Sequence, residues 1–131
     1  MSHITIAKPQ VEIDDAVREL VANQTEECTI VHCRYFTGEP TGVRIWPSTY
    51  LEEDGGHRCK LIKNFNISIM PEWTYHFIEN KFIRFTLIFE ALSRSCQYFY
   101  LLEDIPQPYG FYSNKIAKNK SGVYTVEVFC S

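Results

Sequence analysis

Between Phe82 and Asp104 the chain reads FIRFTLIFEALSRSCQYFYLLED. Phe85, Leu87 and Phe89 alternate with Arg84, Thr86 and Glu90, the period-two signature of a strand with one buried face, and Ile88 is the one exception. After the polar break Ser93-Arg94-Ser95, Phe99 and Leu101 alternate with Tyr98, Tyr100 and Leu102, which predicts a second strand returning antiparallel beside the first. Upstream, the run CTIVHCRYF before Thr37 sets Val31, Cys33 and Tyr35 on one face and His32 and Arg34 on the other. His32 is thus expected to face solvent or a neighbouring side chain.

The rest of the chain is punctuated by turns. Ile4, Ile6, Val11 and Ile13 alternate with polar residues around Pro9, as an edge strand would. Asp14-Asp15 followed by Val17, Leu20 and Val21 has the spacing of one short helix over residues 14–22, with an irregular connection as the alternative. Thr37 to Gly42 is a loop, and Val43 to Trp46 resumes a strand that Pro47 stops. Glu53-Asp54-Gly55-Gly56 reads as a hairpin turn with His57 to Phe65 as its second arm. Beyond Pro71, EWTYHF reads as a loop or short edge strand, and the two prolines and glycine of Ile105 to Gly110 make another loop. Phe111 to Ala117 is a short strand, Lys118 to Gly122 a turn, and Tyr124, Val126 and Val128 the buried face of a last strand. About seven to nine such strands, with no repeat and no linker, predict an all-β antiparallel sandwich in a single domain, residues 1–131, with at most one short helix.

Composition supports that class, because aromatic residues make up 15% of the chain and suit strands. A net charge of -3 gives no long-range attraction to phosphate, which argues against nucleic acid. There is no apolar run of membrane-spanning length. Five cysteines, an odd number, together with an amino terminus that has no apolar export core, predict free thiols and a cytoplasmic location, or an exported one if a leader has been cut away.

Three segments carry a resemblance: Arg44-Ile45-Trp46-Pro47-Ser48-Thr49-Tyr50-Leu51, Phe85-Thr86-Leu87-Ile88-Phe89-Glu90-Ala91-Leu92, and Phe99 with Leu101-Leu102-Glu103-Asp104-Ile105-Pro106. Together they resemble a family of small immunoglobulin-like domains of unknown function from Bacteroidetes, over residues 25–128. The resemblance implies a bacterial origin and an immunoglobulin-like β-sandwich, and it brings no catalytic residue. Residues 14–26 read as an insertion relative to that family. Trp46, inside the first motif, is expected to pack between the sheets.

Candidate chemistry is sparse. His57 and Cys59 share one strand face and could supply two zinc ligands, which is too few, since no CxxC or HxxxH pair completes the set. Cys33, Cys59 or Cys96 with His32, His57 or His76 supply the ingredients of thiol catalysis without a local signature, so packing cysteines are the better reading. Glu52, Glu53 and Asp54 fit a solvated hairpin tip better than a cation site, and Glu103-Asp104 a strand end better than an acid–base pair. Lys115, Lys118 and Lys120 near Tyr109, Phe111 and Tyr112 form a modest basic and aromatic patch, but in an acidic protein an ordinary turn with lysines is the better reading.

No catalytic, cofactor or metal residue is therefore assigned. The reading is a non-enzymatic interaction module that binds a protein or glycan through loops or a sheet edge, with Trp73, Tyr75, Tyr109, Phe111 and Tyr112 as the contact residues. The alternatives are a structural protein that self-associates into homo-oligomers, and a small hydrolase using a Cys/His or acid pair.

Overall fold

The structure is a computed structural model, and it describes residues 28–37, 41–76 and 81–130. Ten strands occur in these segments: β1 (Cys28–Thr37), β2 (Thr41–Val43), β3 (Thr49–Glu53), β4 (Arg58–Phe65), β5 (Thr74–His76), β6 (Lys81–Glu90), β7 (Tyr98–Glu103), β8 (Phe111–Ser113), β9 (Ile116–Ala117) and β10 (Val123–Cys130). There is no helix among the described residues. The expected helix over 14–22 and the strand over Ile4 to Ile13 lie outside them.

The sandwich expectation is overturned. Eight strands form one sheet in the order β3-β4-β6-β1-β10-β8-β7-β9, and β3 also pairs with β7, so seven of them close into a barrel with β9 as an outlier on β7. The closing ladder runs from Thr49↔Glu103 to Glu53↔Phe99. Alternation along a strand says which residues face inward but not whether the sheet that carries them folds onto a second sheet or onto its own edge. Here the inward residues of every strand converge in one core: Val31 and Cys33, Leu51, Cys59, Phe85 with Leu87 and Phe89, Phe99 with Leu101, and Tyr124 with Val126 and Val128.

Nor do the two strands of the Phe82–Asp104 stretch pair with each other. β6 lies between β4 and β1, whereas β7 lies between β3 and the β8/β9 strand. The β3–β4 hairpin occupies the space between them, so residues 91–97 cross an end of the barrel instead of making a tight turn. The exceptional Ile88 is buried on the outward parity, paired with Ile30, which is buried too.

One seam is parallel. β1 and β10 run side by side from Ile30↔Val123 to Tyr35↔Val128, while every other pairing within the barrel is antiparallel. The carboxyl ends of β1, β7 and β10 therefore share one end of the barrel with the amino ends of β3, β6 and β8. The β2–β5 ribbon leaves from this end, and its root is drawn into the core through buried Val43, Ile45 and Ile67.

Candidate functional site

A cleft of about 320 Å³ opens at that end of the barrel. Ile45 anchors one wall: its N–H donates to the Ser68 carbonyl and its own carbonyl accepts from Met70, both at 2.8 Å. This fixes Arg44 and Trp46 on either side of it and brings up the turn that carries Trp73. The Arg44 guanidinium lies 4.0 Å from the centre of the Trp73 ring, and its Nη1 donates to the Pro71 carbonyl at 3.1 Å. The opposite wall is Ile105 to Phe111. Tyr109 is 72% exposed and holds a left-handed φ of 76°, a conformation aromatic residues seldom adopt. A Cβ on Gly110 would lie 2.8 Å from the Glu103 carbonyl oxygen, so only glycine lets the chain pass here.

Glu103 stands between the walls. Its Oε2 accepts the Trp46 N–H at 2.8 Å and its Oε1 the Phe111 N–H at 2.9 Å. Burial raises the pKa of this carboxyl above its ordinary value, while the two N–H bonds and the charge of Arg44 oppose the shift. The floor is formed by Tyr35, Phe111 and Cys130. Burial pushes the Tyr35 hydroxyl up to about 12, helped by its bond to Cys130, and burial likewise raises the Cys130 thiol. The floor is thus neutral at neutral pH, and Arg44 and Glu103 bring ionisable groups to aromatic surroundings.

The residues expected to touch a partner are distributed over this end. Trp73 and Tyr109 form the walls of the cleft, and Phe111 is its buried floor, with its ring centre 5.3 Å from Tyr35 and 5.8 Å from Phe85. Tyr75 lies on β5 opposite Gly42, a cleft residue. Tyr112 points outward from the barrel wall. Trp46, expected as an anchor in the core, is half-buried on the cleft wall, because the strand it was assigned to stops at Val43. The lysines do not join these aromatic residues in a patch: Lys115 sits 4.2 Å over Tyr98, and Lys118 donates to the Ser93 carbonyl near the opposite end. Arg44 has no assigned role in the sequence, where Glu103 reads as a strand-end acid. Glu103 had a usable signal, since it continues the inward parity of Phe99 and Leu101.

Outside the same rim lies a row of aromatic side chains. Phe82 on β6 pairs with Phe36 on β1, and Phe129 on β10 pairs with Tyr112 on β8, all on the outward parity. Ring centres are 5.5 Å apart in both pairs, and Arg34 lies 4.5 Å over Phe82. Phe36 is 48% exposed and Phe82 36%. A groove of about 380 Å³ joins Phe36, Tyr112 and Phe129.

The cysteines are free thiols. Cys33 is buried and directs its Sγ to the Val31 carbonyl at 3.8 Å, whereas His32, on the other face, is bonded through Nδ1 to Thr86 Oγ1 at 2.8 Å. Cys59 is pushed up to about 12, first by burial and then by its hydrogen bond to Glu53, the reverse of what an activated thiol needs. Glu103 and Asp104 do not act as a pair either: Glu103 is held by backbone amides, and Asp104 is exposed, its carbonyl accepting the Ser48 hydroxyl at 2.6 Å.

Comparison of the chain with protein-family models, with curated proteins and with solved structures gives no match. The segments Arg44 to Leu51 and Phe99 to Pro106 meet in space. They are the two strands of the closing ladder, joined further by the Trp46–Glu103 and Ser48–Asp104 hydrogen bonds.

Proposed function

We propose that the protein is a non-enzymatic binding module and that the cleft between Trp73 and Tyr109 holds a short segment of a glycan. The observation that carries this reading is the composition of the cleft: aromatic walls, a neutral floor, and a guanidinium and a carboxyl group set between them. Ligand sites generally combine a mostly apolar concave surface with a few fixed polar groups. A sugar ring presents an apolar C–H face that lies flat on an aromatic side chain and hydroxyls that reach Arg44 and Glu103 at its edge. Each oxygen of Glu103 accepts one backbone N–H bond, which holds the carboxyl group in orientation, and keeps a second lone pair for a sugar hydroxyl.

Titration with a panel of neutral and acidic oligosaccharides, followed by tryptophan fluorescence, tests this. Trp73→Ala and Tyr109→Ala should each weaken binding by roughly tenfold or more, in keeping with the loss of about 1.4 kcal/mol or more of stacking, while their denaturant midpoints stay close to wild type. Binding that is indifferent to both substitutions would refute the assignment of the cleft.

The aromatic row favours a second reading, self-association through the outer wall. Sedimentation of wild type and of Phe36→Ser/Phe82→Ser at several concentrations tests it: a mass that falls to monomer only in the variant supports assembly, and a monomer in both refutes it.

A further inference from the structure

The opposite end of the barrel carries a second constellation, independent of the cleft. In the β3–β4 hairpin the Glu53 N–H donates to the His57 carbonyl and the Gly56 N–H to the Glu53 carbonyl, both at 2.8 Å, and Gly56 has a φ of 97°. This is a tight turn closed by a left-handed glycine, which adds one residue to the second arm. With Leu51 opposite Cys59 and Glu52 opposite Arg58, Glu53 falls opposite His57. Alternation then places Glu53, His57 and Cys59 on the inward face, and Arg58, between them, on the outward face, where it pairs with Glu52 at 3.6 Å and covers Tyr50. A carboxylate oxygen of Glu53, an imidazole nitrogen of His57 and Cys59 Sγ all lie within 4.8 Å of one another.

We propose that Glu53, His57 and Cys59 form a binding site for a divalent transition metal of zinc type, with the fourth position open to water. Tetrahedral zinc with bonds of about 2.0–2.3 Å needs its ligand atoms roughly 3.3–3.8 Å apart, so the three side chains have only to draw slightly together. The donor set is one carboxylate, one imidazole and one thiol, which suits a borderline-soft ion and disfavours magnesium or calcium.

The burial of the three residues is graded in a way a site requires. Glu53 is only 5% exposed and Cys59 is fully buried, whereas His57 is exposed and leaves one side open for entry of the ion. Glu53 is a buried acid with no Lys or Arg ion-paired to it among the described residues. Its Oε2 accepts from the Ser93 N–H at 2.9 Å, the Ser93 hydroxyl at 3.1 Å and the Cys59 thiol at 3.4 Å. The two Ser93 bonds orient the carboxylate as outer-sphere partners do around metals. The Cys59 proton is the one the ion displaces: sulfur gives up its S–H to solvent and bonds the metal. Thiolate and carboxylate together then balance the 2+ charge, which leaves a buried site neutral. Cys96, the next thiol, is turned to the Tyr98 carbonyl at 3.4 Å and lies outside the group.

Titration of the full chain, free of any affinity tag, with cobalt(II) and competition by zinc reads the site directly. We expect one cobalt per chain, a sulfur-to-cobalt charge-transfer band in the near ultraviolet and tetrahedral visible bands, all displaced by zinc. Cys59→Ser should abolish the charge-transfer band, and Cys96→Ser should leave it. His57 is exposed, so His57→Ala remains folded and should lose more affinity than the roughly 10- to 100-fold that removal of an outer-sphere partner costs. A spectrum without the charge-transfer band, a band that survives Cys59→Ser, or wild-type affinity in His57→Ala would each overturn the proposal. None of these outcomes touches the cleft, whose test uses no metal.

Discussion

Glu103 shows how one side chain can join strands and still report on pH. Its folded pKa lies above the ordinary 4.5 chiefly because the carboxyl is buried. Below that value the group is neutral folded or unfolded, and its contribution to stability is fully present. As pH rises through the higher folded value the unfolded chain has already ionised, so stability is lost. The stability of wild type relative to Glu103→Gln should therefore decline as pH rises above the ordinary carboxyl value, read from urea midpoints; a constant difference would mean that the carboxyl is better solvated than its surroundings imply. Gly56 makes a backbone case. A Cβ there meets nothing within 4 Å, yet the φ of 97° disfavours any other residue. Gly56→Ala should cost on the order of 1 kcal/mol and, by disturbing the Glu53–His57 register, weaken cobalt binding as well.

At the scale of elements, β8 and β9 behave as a single strand with a break. Leu102 pairs with Tyr112 but Phe99 with Ile116, so the register shifts by one residue between the two contacts. The buried Ser113 hydroxyl spans the gap, accepting the Leu101 N–H at 2.9 Å and donating to the Asn114 carbonyl at 2.8 Å. Ser113→Ala leaves a buried N–H without its acceptor and should cost about 1–3 kcal/mol by denaturant midpoint. Such local features were legible to different degrees. The turn at Glu53 to Gly56 announced itself through its glycines, and the inward faces of β1, β6, β7 and β10 through their alternation. Pairing was not legible, because Phe85 to Phe89 would look the same beside β7 as beside β1. The Glu53, His57 and Cys59 group was within reach: His57 and Cys59 share a strand face, and Glu53, which reads as part of a solvated tip but is buried, falls across from His57 when the hairpin register is continued by one step.

For the whole molecule, the difference between a sandwich and a barrel lies in the ladder from Thr49 to Glu53 against Phe99 to Glu103. Its centre, Leu51 opposite Leu101, is fully buried. Leu51→Ala should cost about 2–5 kcal/mol, and exchange of the amides that bond across the β3–β7 seam should accelerate together on both strands, since each loses the other when the seam opens. The parallel seam between β1 and β10 has a different consequence, which concerns the nascent chain. Synthesis delivers β1 first of the described strands and β10 last, yet they are immediate neighbours. Until Val123 onward has left the ribosome, Ile30 to Tyr35 of β1 have no β10 beside them, next to the exposed rings of Phe36 and Phe82. Newly made protein therefore lacks the cover of β10 on that edge until the barrel shuts.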